Sequence, residues 1–496
     1  MKIRSIQSNY FLSILRLTSG ILISLITLPY ISRVLGPEYL GKVEYINALI
    51  AYFILFSSLG IPLYGIKQVA KVRDNPQELS RLIAEIFILL FGTSFVAYCI
   101  LFFFAFTFDF LIDYKMLIFI LSSTILLNNI GLEWLYQGIE DQLFITLRTV
   151  AIRVLSVILL YLLVKTKDDY LWYGLIVVLN TAGGNLFNLI KAKQYISFSH
   201  LKGYSLDVKR HIKPALLMFL ASISVSLYLQ VDSVLLGYLS GDEAVGYYSV
   251  ASKLLRVVLL LVTTIGIVML PRLTNLWENS KEEYYTLLNK SLNFLLILSI
   301  PSSIYLFIFA NSIISLMGGS EFGPSIIVLK ILSPVTTLVS VAYFFGFLVL
   351  FVQNKEKLYA QIVGLSAVIS ILLNYFLILF YQQNGAALGQ LTAEALGMLM
   401  LCITVYKYKV IENKLLNFKE NILKIALVNI ILFLIFYTIN HYTNINNQFI
   451  YLFINTAIMI ITYIILLVII REKYTLEIVN KLLNHRLWPG KKDNVE

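Results

Sequence analysis

Apolar residues along this chain fall into fourteen long runs separated by short polar gaps. The runs cover approximately 9 to 32, 42 to 66, 82 to 108, 114 to 137, 142 to 164, 170 to 190, 214 to 238, 244 to 270, 291 to 310, 325 to 352, 358 to 381, 385 to 405, 425 to 440 and 448 to 470. An α-helix needs about 20 apolar residues to cross hydrocarbon about 30 Å thick. All the runs reach that length except the thirteenth, which lies near the lower limit. The pattern predicts an all-α polytopic membrane protein with 14 transmembrane helices.

The basic residues confirm the count by where they sit. Of 39 Lys and Arg, with Lys42, Lys115 and Arg148 counted to the gaps their runs adjoin, 29 lie at the N-terminus, in the even-numbered gaps or in the C-terminal tail, 5 lie in the odd-numbered gaps, and 5 lie within the runs. Cytoplasmic loops collect Lys and Arg, so both termini are expected in the cytoplasm, and the alternation requires an even number of crossings. The basic gaps Lys67 to Arg81, Lys191 to Lys213 and Lys407 to Lys424 contrast with the nearly uncharged Gln382 to Asn384 and His441 to Asn447.

Composition removes several function classes. The chain is 59% hydrophobic and 14% charged, with mean hydropathy +0.81, far from soluble globular proteins. In a soluble protein the net charge of +11 would point to nucleic acid. Here it is spread over loops facing anionic lipid, and no nucleic-acid partner is expected. Cys99 and Cys402 lie in separate runs, and the four His show no ligand spacing, so neither a disulfide framework nor a metal site is predicted. The basic start, Lys2 and Arg4, leads into a long run containing Arg16 with no small-residue cleavage site before Leu28-Pro29. It reads as a first spanning helix rather than a removable signal. Pro29, Pro62, Pro301 and Pro334 predict bends within helices.

A repeat divides the chain. Arg33-Val-Leu-Gly36-Pro-Glu38-Tyr-Leu-Gly41 is echoed by Val234-Leu-Leu-Gly237, a short insertion, and Asp242-Glu243-Ala-Val-Gly246. Each copy closes an odd-numbered helix, turns outside, and opens the next with Glu-x-x-Gly. A second echo aligns Tyr173-Gly174 through Tyr195 with Asn384-Gly385 through Tyr406. The expected organisation is an N-lobe of six helices at 1–204, a C-lobe of six at 205–410, and two further helices with a basic cytoplasmic tail at 411–496. Because six is even, the lobes should be related by an axis along the membrane normal.

Leu28-Pro29-Tyr30-Ile31-Ser32-Arg33-Val34-Leu35-Gly36-Pro37-Glu38-Tyr39-Leu40-Gly41, together with Glu133-Trp134-Leu135-Tyr136-Gln137-Gly138 and the six plus six plus two pattern, resembles the bacterial polysaccharide repeat-unit flippases. These O-antigen and capsule transporters belong to the multidrug/oligosaccharidyl-lipid/polysaccharide exporter superfamily. The resemblance covers essentially the whole chain. It implies a MATE-like fold of two lobes in the bacterial cytoplasmic (inner) membrane, no catalytic residues, and no cofactor beyond H⁺ or Na⁺ coupling. It also implies a substrate, an undecaprenyl-diphosphate-linked oligosaccharide moved to the outer leaflet, with membrane lipids and other polysaccharide-assembly membrane proteins as partners.

Charges inside hydrocarbon cost at least ~2.5 to 3.5 kcal/mol each, so they face a cavity or a partner. The five interior cations are Arg16, Arg153, Lys253, Arg256 and Lys330. Lys253 and Arg256 share one helix face, and Lys330 is shallow enough to snorkel outward. A forked guanidinium matches phosphate oxygens, which makes Arg16, Arg153, Lys253 and Arg256 candidates for binding a diphosphate head group. The competing reading pairs these cations with the buried acids Glu85, Glu133, Asp232 and Glu394.

Asp232, Asn374 and Thr392 fall at similar depths, roughly 10 Å from the outer ends of three predicted helices. Their oxygens suit a small cation such as Na⁺, and some superfamily relatives hold a cation among the corresponding helices; polar bonding between helices is the alternative. Glu394, near mid-membrane, is the proton-carrier candidate. A cation-coupled multidrug antiporter of the same superfamily is the nearest other function, although its cavity should be lined by carboxylates. A polysaccharide polymerase or ligase is more distant, since the short outer loops carry no paired-carboxylate, nucleophile or metal motif.

Overall fold

In a computed structural model, residues 6–196, 206–408, 410, 418–442 and 447–477 are described; they are overwhelmingly helical, with no strand among them. Lys2, Arg4, the tail beyond 477 and parts of the basic gaps near 200 and 411 lie outside the described residues. The helices are α1 (Ile6–Ser58), α2 (Ile61–Val72), α3 (Pro76–Thr107), α4 (Lys115–Ile130), α5 (Glu133–Gly138), α6 (Gln142–Leu163), α7 (Tyr170–Val178), α8 (Asn185–Ala192), α9 (Lys209–Ser240) and α10 (Asp242–Asn279). They continue with α11 (Lys281–Ile308), α12 (Ala310–Met317), α13 (Ser325–Leu332), α14 (Val335–Tyr343), α15 (Glu356–Lys407), α16 (Phe418–Tyr442) and α17 (Gln448–Ile469).

Eleven helical stretches among the described residues are long and apolar enough to cross a membrane. Phe91, Phe95, Phe103 and Phe106 of α3 leave 62 to 66% of their surface uncovered. Such a face is stable only where the solvent is itself apolar, and the protein is a multi-pass membrane protein. Two helices exceed one crossing. At 53 and 52 residues, α1 and α15 would each be close to 80 Å if straight. Each contains one residue off the helical region, Gly36 (φ 69, ψ 176) in α1 and Gln382 (φ 50, ψ −127) in α15. At Gly36 only glycine adopts such a backbone cheaply, and Pro37 then opens the second helix with its φ already set.

Several predicted runs are broken or extended. The second is interrupted at Leu59 and Gly60, both with positive φ, where Gly60 packs directly on the backbone of α9 at Ala215 and Phe219. The fourth divides into α4 and α5 at Gly131-Leu132, with Leu132 at φ 47. The ninth begins earlier, at Lys281, because charged residues on a helix's first turns lower hydropathy without breaking the helix.

The chain forms two compact units. The first comprises 1–250, 317–322 and 367–386, and in it α1 packs on α3, α4, α6 and α9, with Leu35, Leu40, Val43 and Ile46 fully buried. The second comprises 251–316, 323–366 and 387–496, and in it α11 packs on α13, α14 and α16.

The repeated motif contacts its own copy, within the first unit. A Cβ on Gly41 would overlap the Asp242 carbonyl, and a Cβ on Gly246 would overlap that of Pro37. Pro37 and Asp242 are 205 positions apart, as are Gly41 and Gly246, so the contact is reciprocal and locally two-fold. The structure also corrects the alignment. Gly241 (φ 85, ψ 179), not Gly237, matches Gly36 in conformation, and from Gly36 and Gly241 onward the two copies run without an insertion.

Candidate functional site

α5 is the short helix of the Glu133-Trp-Leu-Tyr-Gln-Gly motif, and its neighbours explain why it sits where it does. Gly65 of α2 leaves room for the Trp134 ring, whose carbon would lie 2.7 Å from a Cβ there. The Tyr136 hydroxyl donates to the Asn188 carbonyl of α8 at 2.6 Å. Pinned on both sides, α5 presents Glu133 to Arg16 of α1 and Arg148 of α6.

Arg16 Nη1 pairs with Glu133 Oε1, which also accepts from Gln137 Nε2 at 3.2 Å. Arg148 Nη2 lies 3.8 Å from Glu133 Oε2, and its Nη1 donates to Asn185 Oδ1 at 2.9 Å. Asn185 in turn donates to Asn128 Oδ1 at 3.1 Å. Arg153 Nη1 donates to the Arg16 carbonyl at 2.5 Å and to Ser19 Oγ at 2.7 Å, with its guanidinium lying over Gly20. Among the described residues it has no carboxylate partner. The Nε atoms of Arg148 and Arg153 are buried without a hydrogen-bond partner.

Two guanidiniums therefore meet one carboxylate and a third, that of Arg153, lies against the backbone of Arg16, a local excess of two positive charges with unused donors. Such an excess inside a membrane protein calls for a water-filled cavity or a compensating anion. The Arg16 side chain is 17% exposed, Arg148 7% and Glu133 39%, so the carboxylate is the open side of the cluster.

Arg148 was legible in the sequence. It lies six positions inside the run 142 to 164, yet a tally by gaps assigns it to the cytoplasmic flank. Its depth, about 9 Å along α6, groups it with the interior cations.

The remaining candidates fall elsewhere. Asp232 and Asn374 bond to each other. Asn374 Nδ2 donates to Asp232 Oδ1 at 2.7 Å and to Ser370 Oγ at 3.2 Å, and the Tyr248 hydroxyl donates to Asp232 Oδ2 at 2.6 Å. Asp232, Asn374, Tyr248 and Ser370 are all buried, and Asn374 Oδ1 has no partner. Thr392 belongs to the second unit, where its hydroxyl donates to the Leu388 and Gly389 carbonyls of its own helix. Lys253, Arg256 and Glu394 also lie in the second unit; Lys253 and Glu394 are half-buried, Arg256 is exposed, and each is engaged in an interaction. Lys330 is exposed, with its ammonium 5.9 Å from the centre of the Phe307 ring.

Glu85 does not pair with any of the five interior cations. Its fully buried carboxylate accepts from Arg81, Arg210, His211 and the Asp207 N–H at 2.5 to 3.0 Å, while the Tyr64 hydroxyl meets His211 Nδ1 at 2.7 Å. These bonds tie the first turn of α9 to α2 and α3. Arg16, by contrast, does pair with one of the candidate acids, Glu133, although that side chain is partly exposed rather than buried.

A profile of the polysaccharide biosynthesis protein family matches residues 6–277, and one of the MatE family matches 218–376. A protein of Escherichia coli (strain K12) named "Putative O-antigen transporter" is 26% identical over 401 residues, 79% of this chain and 95% of its own. Among solved structures, "Lipid II flippase MurJ, inward closed conformation" superposes with a TM-score of 0.70 at 17% identity, over 92% of this chain and 98% of its own. A multidrug resistance MATE family transporter of the MOP superfamily, in an inward-facing conformation, gives 0.59 at 14% identity over 82% and 97%. At these identities the likeness is one of fold, which transporters of quite different cargo share.

Proposed function

Because the chain belongs to the polysaccharide biosynthesis protein family, we propose that it is a flippase for lipid-linked oligosaccharide. In this reading it carries an undecaprenyl-diphosphate-linked repeat unit from the inner to the outer leaflet of the bacterial cytoplasmic membrane by alternating access. The observation that carries the reading is the cluster of Arg16, Arg148 and Arg153 with Glu133, two positive charges in excess. A diphosphate head group supplies about two negative charges and an array of acceptor oxygens, which forked guanidiniums bind well. With both termini cytoplasmic, the cluster lies in the cytoplasmic half of the helices, the side on which the lipid-linked unit is assembled.

Fourteen crossings remain our reading of the architecture. The eleven stretches contain two double-length helices, and α9, 32 residues long, adds another. We keep the division into six, six and two helices. Lys253 and Arg256, in the second unit, are kept as candidates for binding the diphosphate. Asp232 with Asn374, and Glu394 with Thr392, are assigned to H⁺ or Na⁺ coupling. No catalytic step is assigned to any residue. The multidrug antiporter shares the fold, but a cluster with excess positive charge repels cationic drugs.

The test is reconstitution with a fluorescent diphosphate-linked oligosaccharide. Arg148→Gln and Arg153→Gln should each slow flipping by about tenfold or more, the weight of a lost charge-assisted hydrogen bond. Undiminished flipping by both variants and by the double variant overturns the proposal.

A further inference from the structure

The acid in the arginine cluster is the feature that diphosphate binding alone leaves unexplained. A site built only to hold an anion would exclude a carboxylate, because like charges disfavour one another at close range. Yet Glu133 sits among the guanidiniums, joined to Arg16 and within 3.8 Å of Arg148, with its side chain 39% exposed. The backbone that holds it there is strained. Leu132, immediately before it and fully buried, has φ 47, and Glu140 beyond the end of α5 has φ 62. Left-handed conformations are costly for non-glycine residues, especially an apolar one such as leucine, and persist where the surroundings enforce them. Gly131, Leu132 and Glu140 thus bound a short helix fixed by its neighbours, and the Glu133 side chain, being partly exposed, can leave the arginines by rotation about its own χ angles without movement of the helix. Arg16 and Arg148, by contrast, are carried by the long helices α1 and α6.

We propose that Glu133 is an internal stand-in for the substrate's phosphate: it occupies the arginines when the site is empty, gives way to the diphosphate on loading, and returns to displace it on release. This rests on the diphosphate reading of the same cluster and deepens it. It makes Glu133 a positioning residue that sets the occupancy of Arg16 and Arg148. It also addresses the return step, since an empty site holding its own carboxylate carries two unbalanced charges in place of three.

The test uses the full chain in lipid nanodiscs with geranyl diphosphate as probe, alongside flipping of the fluorescent substrate in vesicles. Glu133→Gln keeps the size of the side chain and one acceptor oxygen and removes its charge. Probe affinity should rise by about tenfold or more, the weight of one removed like charge at close range, while multiple-turnover flipping slows because release loses its competitor. A merely structural role would lower both. Glu133→Asp, which draws the carboxylate back by one methylene, should shift affinity in the same direction by less, and serves if the Gln variant does not fold. Unchanged or weaker probe binding in whichever variant folds overturns the stand-in role. If Arg148→Gln still weakens the probe, the diphosphate site survives that result; if neither Arg148→Gln nor Arg153→Gln weakens it, the site itself is wrong.

Discussion

Arg153 shows how a single absent side chain sets up a binding group. Its guanidinium lies over Gly20, where a Cβ would come within 2.9 Å of Nη2, and its bonds go to the Arg16 carbonyl and Ser19. A bulky residue at position 20 would push the guanidinium off α1 and strand it without those acceptors. Gly20→Leu should therefore reduce flipping to near the level of Arg153→Gln, with thermal stability in detergent changed by only about 1 to 3 kcal/mol from overpacking. Equal flipping by wild type and Gly20→Leu would show that the placement of Arg153 is immaterial. At this scale the sequence showed which residue types were costly, because charge in hydrocarbon is conspicuous in any apolar run. It did not show which acid each cation would meet. Arg16 and Glu133 are 117 positions apart, and nothing local to either specifies the other.

Among elements, the duplicated motif has a mechanical explanation that its residues did not disclose. The second helix of α1 and the start of α10 cross so closely that Gly41 and Gly246 each lie on the other copy's backbone. Side chains at either position would wedge the helices apart, and close helix approach in membranes depends on such small residues. Gly41→Leu and Gly246→Leu should each lower the unfolding temperature in detergent and flipping together, by similar amounts because the contact is reciprocal. Thermal scans of the two variants check this; a large loss from one and none from the other would contradict the two-fold geometry. Breaks within predicted helices were the least legible elements. Leu59 and Leu132 take positive φ without being glycine, so the turn chemistry that usually marks such positions is missing at these residues. Neighbouring helices enforce the breaks, as α9 does at Gly60.

For the molecule as a whole, the proposed diphosphate cargo makes transport sensitive to the membrane potential. Carrying about two negative charges outward across an inside-negative membrane releases roughly 2.3 kcal/mol per charge per 100 mV. In vesicles oriented with the cytoplasmic face in contact with labelled substrate, a potassium diffusion potential negative on that face should accelerate flipping, and the opposite potential should slow it. Adding proton and sodium ionophores separates the coupling reading from the potential: flipping that persists after both gradients and the potential collapse removes any role for Asp232 or Glu394 as ion carriers.

Hydropathy and charge alternation by themselves determined the solvent, the helical class and the expected sidedness, because insertion into lipid reads each segment by its composition and each loop by its basic residues. The echo of Gly-x-Glu-x-x-Gly exposed the repeat, and the conspicuous cations supplied the candidates for holding an anion. Tertiary structure alone decided that Arg148 joins Arg16 and Arg153 and that Glu133 stands among them. It also decided that Asp232 bonds to Asn374, and that Gly241 rather than Gly237 answers Gly36. Each of these depends on which faces of distant helices meet, a matter of packing across the fold that no single segment encodes.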